Sequence, residues 1–396
     1  MATDDALLLH PSMAGIYLHI PFCRKACHYC NFHFSTSLHR KPELLLALIK
    51  EIQDDRQRNF TAGERLIETI YFGGGTPSIL DPTEIQHLMD TICQYHNIHG
   101  NAEITLEANP DDITPYQLAR WKDAGVNRLS IGIQSFRQED LTWMNRAHNA
   151  AQATQCIKDA VAAGISNISI DLIYGTPGLS DDDWKKNLHL ALETGVQHIS
   201  AYALTVEEKT ALHYFIKKGK IAPPAEEGQA HQFEILMDTM DAVGWEHYEI
   251  SNCCKPGHRS RHNSSYWQGK PYLGYGPSAH GYNGNSTRWM GIANNAMYID
   301  AWLHYTKTPY KIEQLSPENR INEKIMTGLR RMEGFTANQQ TKSIEGIGLD
   351  GKSWEAFLKT LEIQVQNGMC VFSNKQVTLT RKGKLQADAI AVEFFM

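Results

Sequence analysis

The run Ile16-Tyr17-Leu18-His19-Ile20-Pro21-Phe22-Cys23-Arg24-Lys25-Ala26-Cys27-His28-Tyr29-Cys30 joins a short apolar strand to a loop carrying three thiols. The spacing C-x3-C-x2-C offers three thiolates from one compact loop. An iron–sulfur cube has four irons, and thiolate ligation is the standard way to hold it. Three protein ligands leave one iron open to a partner that is not protein. An open position is what separates a reactive metal centre from a structural one. A structural zinc site wants a fourth Cys or His at matching spacing, and His28, adjacent to Cys27, is badly placed to close a tetrahedron with all three thiols. A disulfide framework does not suit a chain of 396 residues without a secretory signal. The loop therefore reads as a 4Fe–4S cluster site held by Cys23, Cys27 and Cys30.

Further apolar runs recur at Thr69–Phe72, Glu103–Leu106, Arg128–Ile133, Ile168–Ile173 and His198–Leu204. Between most of them lie segments of helical periodicity: Glu43–Arg56, Ile85–Tyr95, Tyr116–Ala124, Ala151–Ala163 and Trp184–Glu193. Several stop at glycine, as at Ala163-Gly164 and Thr194-Gly195, a common helix ending. Strand and helix in alternation predict an α/β fold with a parallel sheet. Six such units are two short of an eight-fold barrel, so the expectation is a partial, open (β/α)6 TIM-like barrel. Chemistry in that architecture belongs at the C-terminal strand ends. Cys23 follows the first strand, Gly73-Gly74-Gly75-Thr76-Pro77 the second, Glu107 the third and Gln134 the fourth, while Asp171 lies near the end of the fifth. A lone Glu or Asp there is more often ordinary loop chemistry, but five such ends together point to one shared site. Glycines without Cβ let backbone approach a ligand closely. Their spacing is not that of a dinucleotide or P-loop fingerprint.

The expected organisation is an N-terminal extension over 1–14, the barrel core over 15–240, a connecting region over 241–310 and a C-terminal domain over 311–396. Gly, Tyr, Trp, Asn and His crowd Gly244–Trp289 with little periodicity. Arg320–Met332 then reads as an amphipathic helix, and Val377–Phe395 as a strand, a turn at Gly383 and a helix. This makes the last domain a small α+β, winged-helix-like unit. Its basic cluster Arg381-Lys382-Gly383-Lys384 is too small for a nucleic-acid face, and the net charge of −6 offers no general attraction to polyanions. The segment Met1–Pro11, with Asp4 and Asp5 and a three-leucine run, is not a signal peptide. No stretch approaches the ~20 apolar residues of a transmembrane segment. A cytoplasmic protein is expected, where thiols stay reduced. Cys253-Cys254 reads as a loop pair of reduced thiols, and Cys93, Cys156 and Cys370 as core residues. His19 could face the site or pack.

The cysteine loop, with Tyr29 just before Cys30, and the glycine run resemble the signature of the radical S-adenosylmethionine (SAM) superfamily. In that superfamily SAM chelates the open iron and breaks to a 5′-deoxyadenosyl radical on reduction. A narrower resemblance, to the coproporphyrinogen-dehydrogenase-like group, rests on several motifs. They are Tyr17–Phe22, Phe72–Ser78, Glu107-Ala108-Asn109-Pro110, Asn127–Ser135, Asn145-Arg146-Ala147-His148 and Asp171–Gly178. The resemblance implies SAM contacts at Tyr17, Gly74, Gly75, Thr76, Glu107, Gln134, Arg146 and Asp171. On sequence alone Arg146 could equally be an exposed helix-end arginine.

Two branches of that group differ in function. The dehydrogenases, which oxidatively decarboxylate coproporphyrinogen III in porphyrin biosynthesis, carry a further cysteine where this chain has Phe32. They also have a longer N-terminal segment than the 22 residues that precede Cys23 here. The HemW-type heme chaperones carry His-Asn-x-x-Tyr-Trp, present as His262-Asn263-Ser264-Ser265-Tyr266-Trp267, followed by Gly274–His280. This branch implies heme as a third bound group and heme-acceptor proteins as partners. A neutral imidazole is a standard axial ligand and aromatic rings suit a porphyrin plane. His262 is therefore expected to contact heme, with Tyr266 and Trp267 lining the site. The competing expectation is that His262 caps a turn while the two aromatics simply pack.

Overall fold

Six consecutive strands pair in parallel and in sequence order, as the alternation of strand and helix requires. The computed structural model describes residues 14–54, 65–304 and 310–396. All of the expected N-terminal extension except Ala14 lies outside these residues, as does Arg56 at the end of one expected helix. The strands are β1 (Ala14–Ile20), β2 (Leu66–Gly74), β3 (Asn97–Ala108), β4 (Arg128–Gln134), β5 (Asn167–Tyr174) and β6 (His198–Ala203). Helices Lys41–Gln53, Pro82–Tyr95, Pro115–Asp123, Ala150–Ala162 and Asp181–Glu193 lie between them. Their starts are written locally: Asp81 with Glu84, and Asn149 with Gln152, close reciprocal capping boxes.

Register explains which residues meet. Gly15 stands opposite Thr69, and Thr69 opposite Glu103. Tyr17 faces Tyr71, Thr105 and Arg128 in turn. Glu107, Ser130, Ser169 and His198 form a third row, and Asp171 pairs with Ser200. Alternate residues of a strand point to opposite sides, so these rows share one face of the sheet. The residues between them, including Ile16, Leu18, Phe72, Leu106, Leu129, Ile131, Ile170 and Ile199, are buried in the main apolar core. A parallel sheet is covered on both faces. Here one covered face is hydrocarbon and the other is polar, and Thr105, Arg128 and His198 on it are almost inaccessible.

The region 241–310 contributes to both edges of this sheet. β7 (Glu246–Glu249) and β8 (Asn252–Cys254) extend it beyond β6, and β9 (Tyr272–Tyr275), β10 (His280–Tyr282) and β11 (Thr287–Gly291) extend it beyond β1. Strands this short show no period in the sequence. β12 (Tyr310–Gln314), which spans the expected boundary at 311, pairs with β11. Among the described residues β12 and β7 each have one neighbour, so the sheet stays open. Cys253 and Cys254 lie in β8, fully buried, and not in a loop as the sequence suggested. Cys93 is exposed on the outer side of its helix, and not a core residue as expected; Cys156 and Cys370 are buried, and all eight cysteines are free thiols.

The C-terminal part is α+β. Helix Pro317–Leu329 and helix Gly351–Gln366 accompany a five-stranded sheet with its own core around Ile325, Phe335, Phe357 and Phe394. The expected turn at Gly383 is a short helix, Arg381–Lys384. Among the described residues no helix is long and apolar enough to cross a membrane.

Candidate cofactor site at the cysteine loop

Backbone contacts pin the cysteine loop over the C-terminal ends of the strands. Gly75 N donates to Ile20 O at 2.9 Å, and Cys23 N donates to Ser35 O at 3.1 Å. His28 N donates to Met144 O at 3.2 Å, and Asn145 Nδ2 to Ala26 O at 2.8 Å. A Cβ on Gly75 would stand 2.7 Å from the Phe22 carbonyl oxygen, so glycine is what allows the second strand end to sit against the loop. Gly74, with φ of +109°, is in a conformation that side chains rarely adopt, and its added Cβ would strike the His19 ring. Thr76 Oγ1 donates to Cys23 Sγ and Arg146 Nη1 to Cys27 Sγ, both at 3.3 Å. Arg146 is no free helix-end arginine: its Nη2 also donates to Asn109 Oδ1 at 2.7 Å and Gly132 O at 2.8 Å. Among the described residues no three His, Cys, Asp or Glu gather about one point as a single metal ion needs. A cube, with its irons at separate corners, asks for thiols that stand apart.

Beneath the loop lies the polar face of the sheet. Glu107 accepts from Tyr71 OH at 2.8 Å and from Gly74 N at 3.2 Å. Burial raises its pKa to about 8 against these hydrogen bonds, with the nearby Asp171 adding to the rise. Burial likewise raises Asp171 to about 6, opposed by a hydrogen bond from Ser200 and by Arg128 and Arg146. Gln134 adopts φ of +67°, a left-handed conformation uncommon for a non-glycine residue. Such strain persists where surrounding structure holds it, often at functional sites. Gly132 leaves room for both the Gln134 amide and the Arg146 guanidinium. Tyr17 OH lies 3.2 Å from His19 Nδ1, and His19 Nε2 donates to His33 O at 2.8 Å. His19 thus faces the polar side.

These features fit a cluster with a cationic, multiply hydrogen-bonding ligand above the polar face. The loop supplies three thiols with donors aimed at two of them. Thr105 Oγ1, Arg146 Nε and Thr176 Oγ1 are buried with no hydrogen-bond partner among the described residues, and buried polar atoms are ordinarily paired. Two desolvated carboxylates suit a positive charge between them. Tyr17, Glu107 and Asp171 lie on this face and Gly74, Gly75, Thr76 and Gln134 at its strand ends, while Arg146 reaches it from the segment after the helix Gln138–Trp143.

The expected heme residues are divided. His262, 1% exposed, sits at the opposite, N-terminal end of the polar face. Its Nδ1 lies 2.7 Å from Thr69 Oγ1 and its Nε2 2.8 Å from Tyr266 OH. Its ring stacks on Tyr71 at 4.9 Å. Glu103 accepts from the Arg261 and His262 amides and so fixes the start of helix Arg261–Trp267. An axial bond from His262 to iron would require one of its ring hydrogen bonds to break. Trp267 packs under Arg330, 5.4 Å from its ring centroid. Tyr266 lines a cavity beside β1. Thr69, Tyr71, Glu103 and Arg128 belong to the same polar face, and their signal in the sequence is a polar residue at every second position of the strands.

Residues 17–191 match the family model of the radical SAM superfamily. The chain is 34% identical over 384 residues to the heme chaperone HemW of Mycobacterium tuberculosis, covering 95% of this chain and 93% of that one. It is 34% identical over 381 residues to HemW of Bacillus subtilis, covering 96% and 98%. Among solved structures it resembles coproporphyrinogen III oxidase, HemN, of Escherichia coli, with a TM-score of 0.80 at 21% identity over 98% of this chain and 91% of that one. The sheet of β1–β6 with its helices is thus the partial barrel of the radical SAM fold. Sequence relationship over nearly the full length makes the chain a member of the HemW family within the radical SAM superfamily.

Proposed function

We propose that this chain is a radical SAM heme chaperone that binds a 4Fe–4S cluster and SAM and carries heme to acceptor proteins in the cytoplasm. The observation that carries this reading is the 34% identity over 95% of the chain to a protein named as a heme chaperone. The cysteine loop alone would suit any member of the superfamily. In this reading Cys23, Cys27 and Cys30 hold the cluster. Tyr17, Gly74, Gly75, Thr76, Glu107, Gln134, Arg146 and Asp171 face SAM.

Bound to the cluster, SAM supplies a source of the 5′-deoxyadenosyl radical; the protein positions and tunes it. Thr76 and Arg146 donate to thiolate sulfur, the kind of hydrogen bond that sets a cluster's potential. Glu107 holds a proton at neutral pH and gives it up when a cation arrives. Gly74 and Gly75 keep the second strand end close enough for backbone to meet the ligand.

The second reading, oxidative decarboxylation of coproporphyrinogen III, draws on the likeness to HemN, which at 21% identity is a likeness of fold. Phe32, where that enzyme group has cysteine, favours the chaperone. Hemin titration of the anaerobically reconstituted protein, run beside coproporphyrinogen III turnover, tests the choice. Hemin binding without turnover is expected, and formation of protoporphyrinogen would overturn it.

A further inference from the structure

Beside β1 lies a cavity of about 570 Å³, within the range of small-molecule sites, on the order of 300–1,000 Å³. Strands β9 to β11 and helix Pro317–Leu329 form its walls. Asn31, Phe32 and His33, directly after Cys30, also line it. Tyr17 and His19 line both this cavity and the polar face of the sheet, so the two spaces adjoin.

The charged lining residues are Arg288, Arg320, Lys324 and Glu323. Three cations less one carboxylate leave two positive charges. Glu323 pairs with Arg288 at 2.9 Å, so Arg320 and Lys324 are the cations to spare. Lys324 Nζ donates to the Gln268 carbonyl at 3.4 Å, and Arg320 makes no side-chain ion pair among the described residues. A ligand with two carboxylates complements this wall.

Three histidines line the same space. Both ring nitrogens of His19 are engaged, and His33 Nε2 lies 2.8 Å from Asn295 Oδ1. His280, on β10, is exposed and makes no hydrogen bond through its ring among the described residues. Partial desolvation, then Arg288, lowers its pKa, which leaves a neutral imidazole free to bind a metal. Around it stand Tyr266, Tyr272 and Tyr282, with Tyr266 and Tyr272 edge to face at 4.6 Å. Phe32, 67% exposed, lines the cavity as well.

Resting on the chaperone reading, we propose that this cavity is the heme site. The heme propionates pair with Arg320 and Lys324, and His280 supplies an axial imidazole. Phe32 and the tyrosines cover the macrocycle. His262, engaged with Thr69 and Tyr266, then stands behind the wall and holds Tyr266 in place.

The test is a spectrophotometric hemin titration of the full chain, anaerobically reconstituted, as wild type, as H280A and H280M, and as the double variant R320E/K324E. Hemin dimethyl ester, which lacks the free carboxylates, is titrated in parallel. Retained cluster absorbance shows that each variant is folded. The histidine variants are expected to shift the Soret band and weaken hemin about tenfold, a loss of about 1.4 kcal/mol. The charge-reversed variant is expected to weaken hemin by at least tenfold while binding the dimethyl ester as wild type does. Wild-type spectra and affinities in every variant would remove heme from this cavity and leave the chaperone reading standing. Failure of the wild type itself to bind hemin would overturn both.

Discussion

Replacing Glu107 with Gln should abolish a proton release that accompanies SAM binding. The substitution keeps the side chain's shape and its hydrogen bond from Tyr71, and removes its titration. With a pKa of about 8, Glu107 is about nine-tenths protonated at pH 7; Asp171, at about 6, is about one-tenth protonated. A cation seated between them ionises both, so the pair releases about one proton per SAM, nearly all of it from Glu107. SAM's own amino group contributes equally in both proteins. The difference between wild type and E107Q is therefore about 0.9 proton at pH 7 and about 0.1 at pH 9. Calorimetric titration of the reconstituted protein in buffers of different ionisation enthalpy measures it.

The same linkage fixes two signs. SAM selects ionised Glu107, so the affinity of wild type relative to E107Q should rise close to tenfold per pH unit below 8 and level off above it. For the SAM-free protein, a folded-state pKa raised from 4.5 to about 8 means the folded chain binds more protons than the unfolded one across that window. Its stability should fall as pH rises through the window. Equal proton release from the two proteins would refute the placement of SAM's positive charge beside Glu107.

Three other substitutions separate cluster, loop and fold. Replacing Cys23, Cys27 and Cys30 together with Ala should remove the bound iron and the cluster absorbance from a chain that remains folded; full iron retention would sink the ligand assignment. Gly75→Ala places a methyl group 2.7 Å from Phe22 O and 2.9 Å from Phe22 N. Overpacking of this kind costs about 1–3 kcal/mol, so iron content and melting temperature should both drop. His262→Ala leaves Thr69 Oγ1 and Tyr266 OH without their partner and a void below Tyr71. It should destabilise the chain by about 2–4 kcal/mol in denaturant unfolding, and a displaced heme spectrum at unchanged stability would return His262 to direct heme contact.

The strand at Ile16–Ile20 and the five after it were legible because each is an apolar run of ordinary length. The helices between them announced themselves by period and by caps such as Asp81 and Asn149. The strands of region 241–310 were not legible: β8 has three residues, too few for alternation to rise above chance. Cys93 is exposed despite its sequence neighbours because those neighbours lie around a helix and its own position faces outward. For His262 a motif indicated importance without indicating role. Its partners are Thr69, 193 residues away, and Tyr266, one helical turn on.

The sequence alone determined the order of strands and helices, the cysteine spacing and the placement of Gly74, Glu107, Gln134 and Asp171 near strand ends. These follow from neighbours within a few positions, where period and spacing act directly. Tertiary structure decided the rest. It turned Tyr17, His19, Thr105 and Arg128 to one polar face through strand register, and set Arg146, 119 residues from Cys27, against its sulfur. It also gathered Phe32, His280 and Arg320 around one cavity. None of these meetings leaves a local trace, because each depends on chain segments brought together only when the sheet assembles.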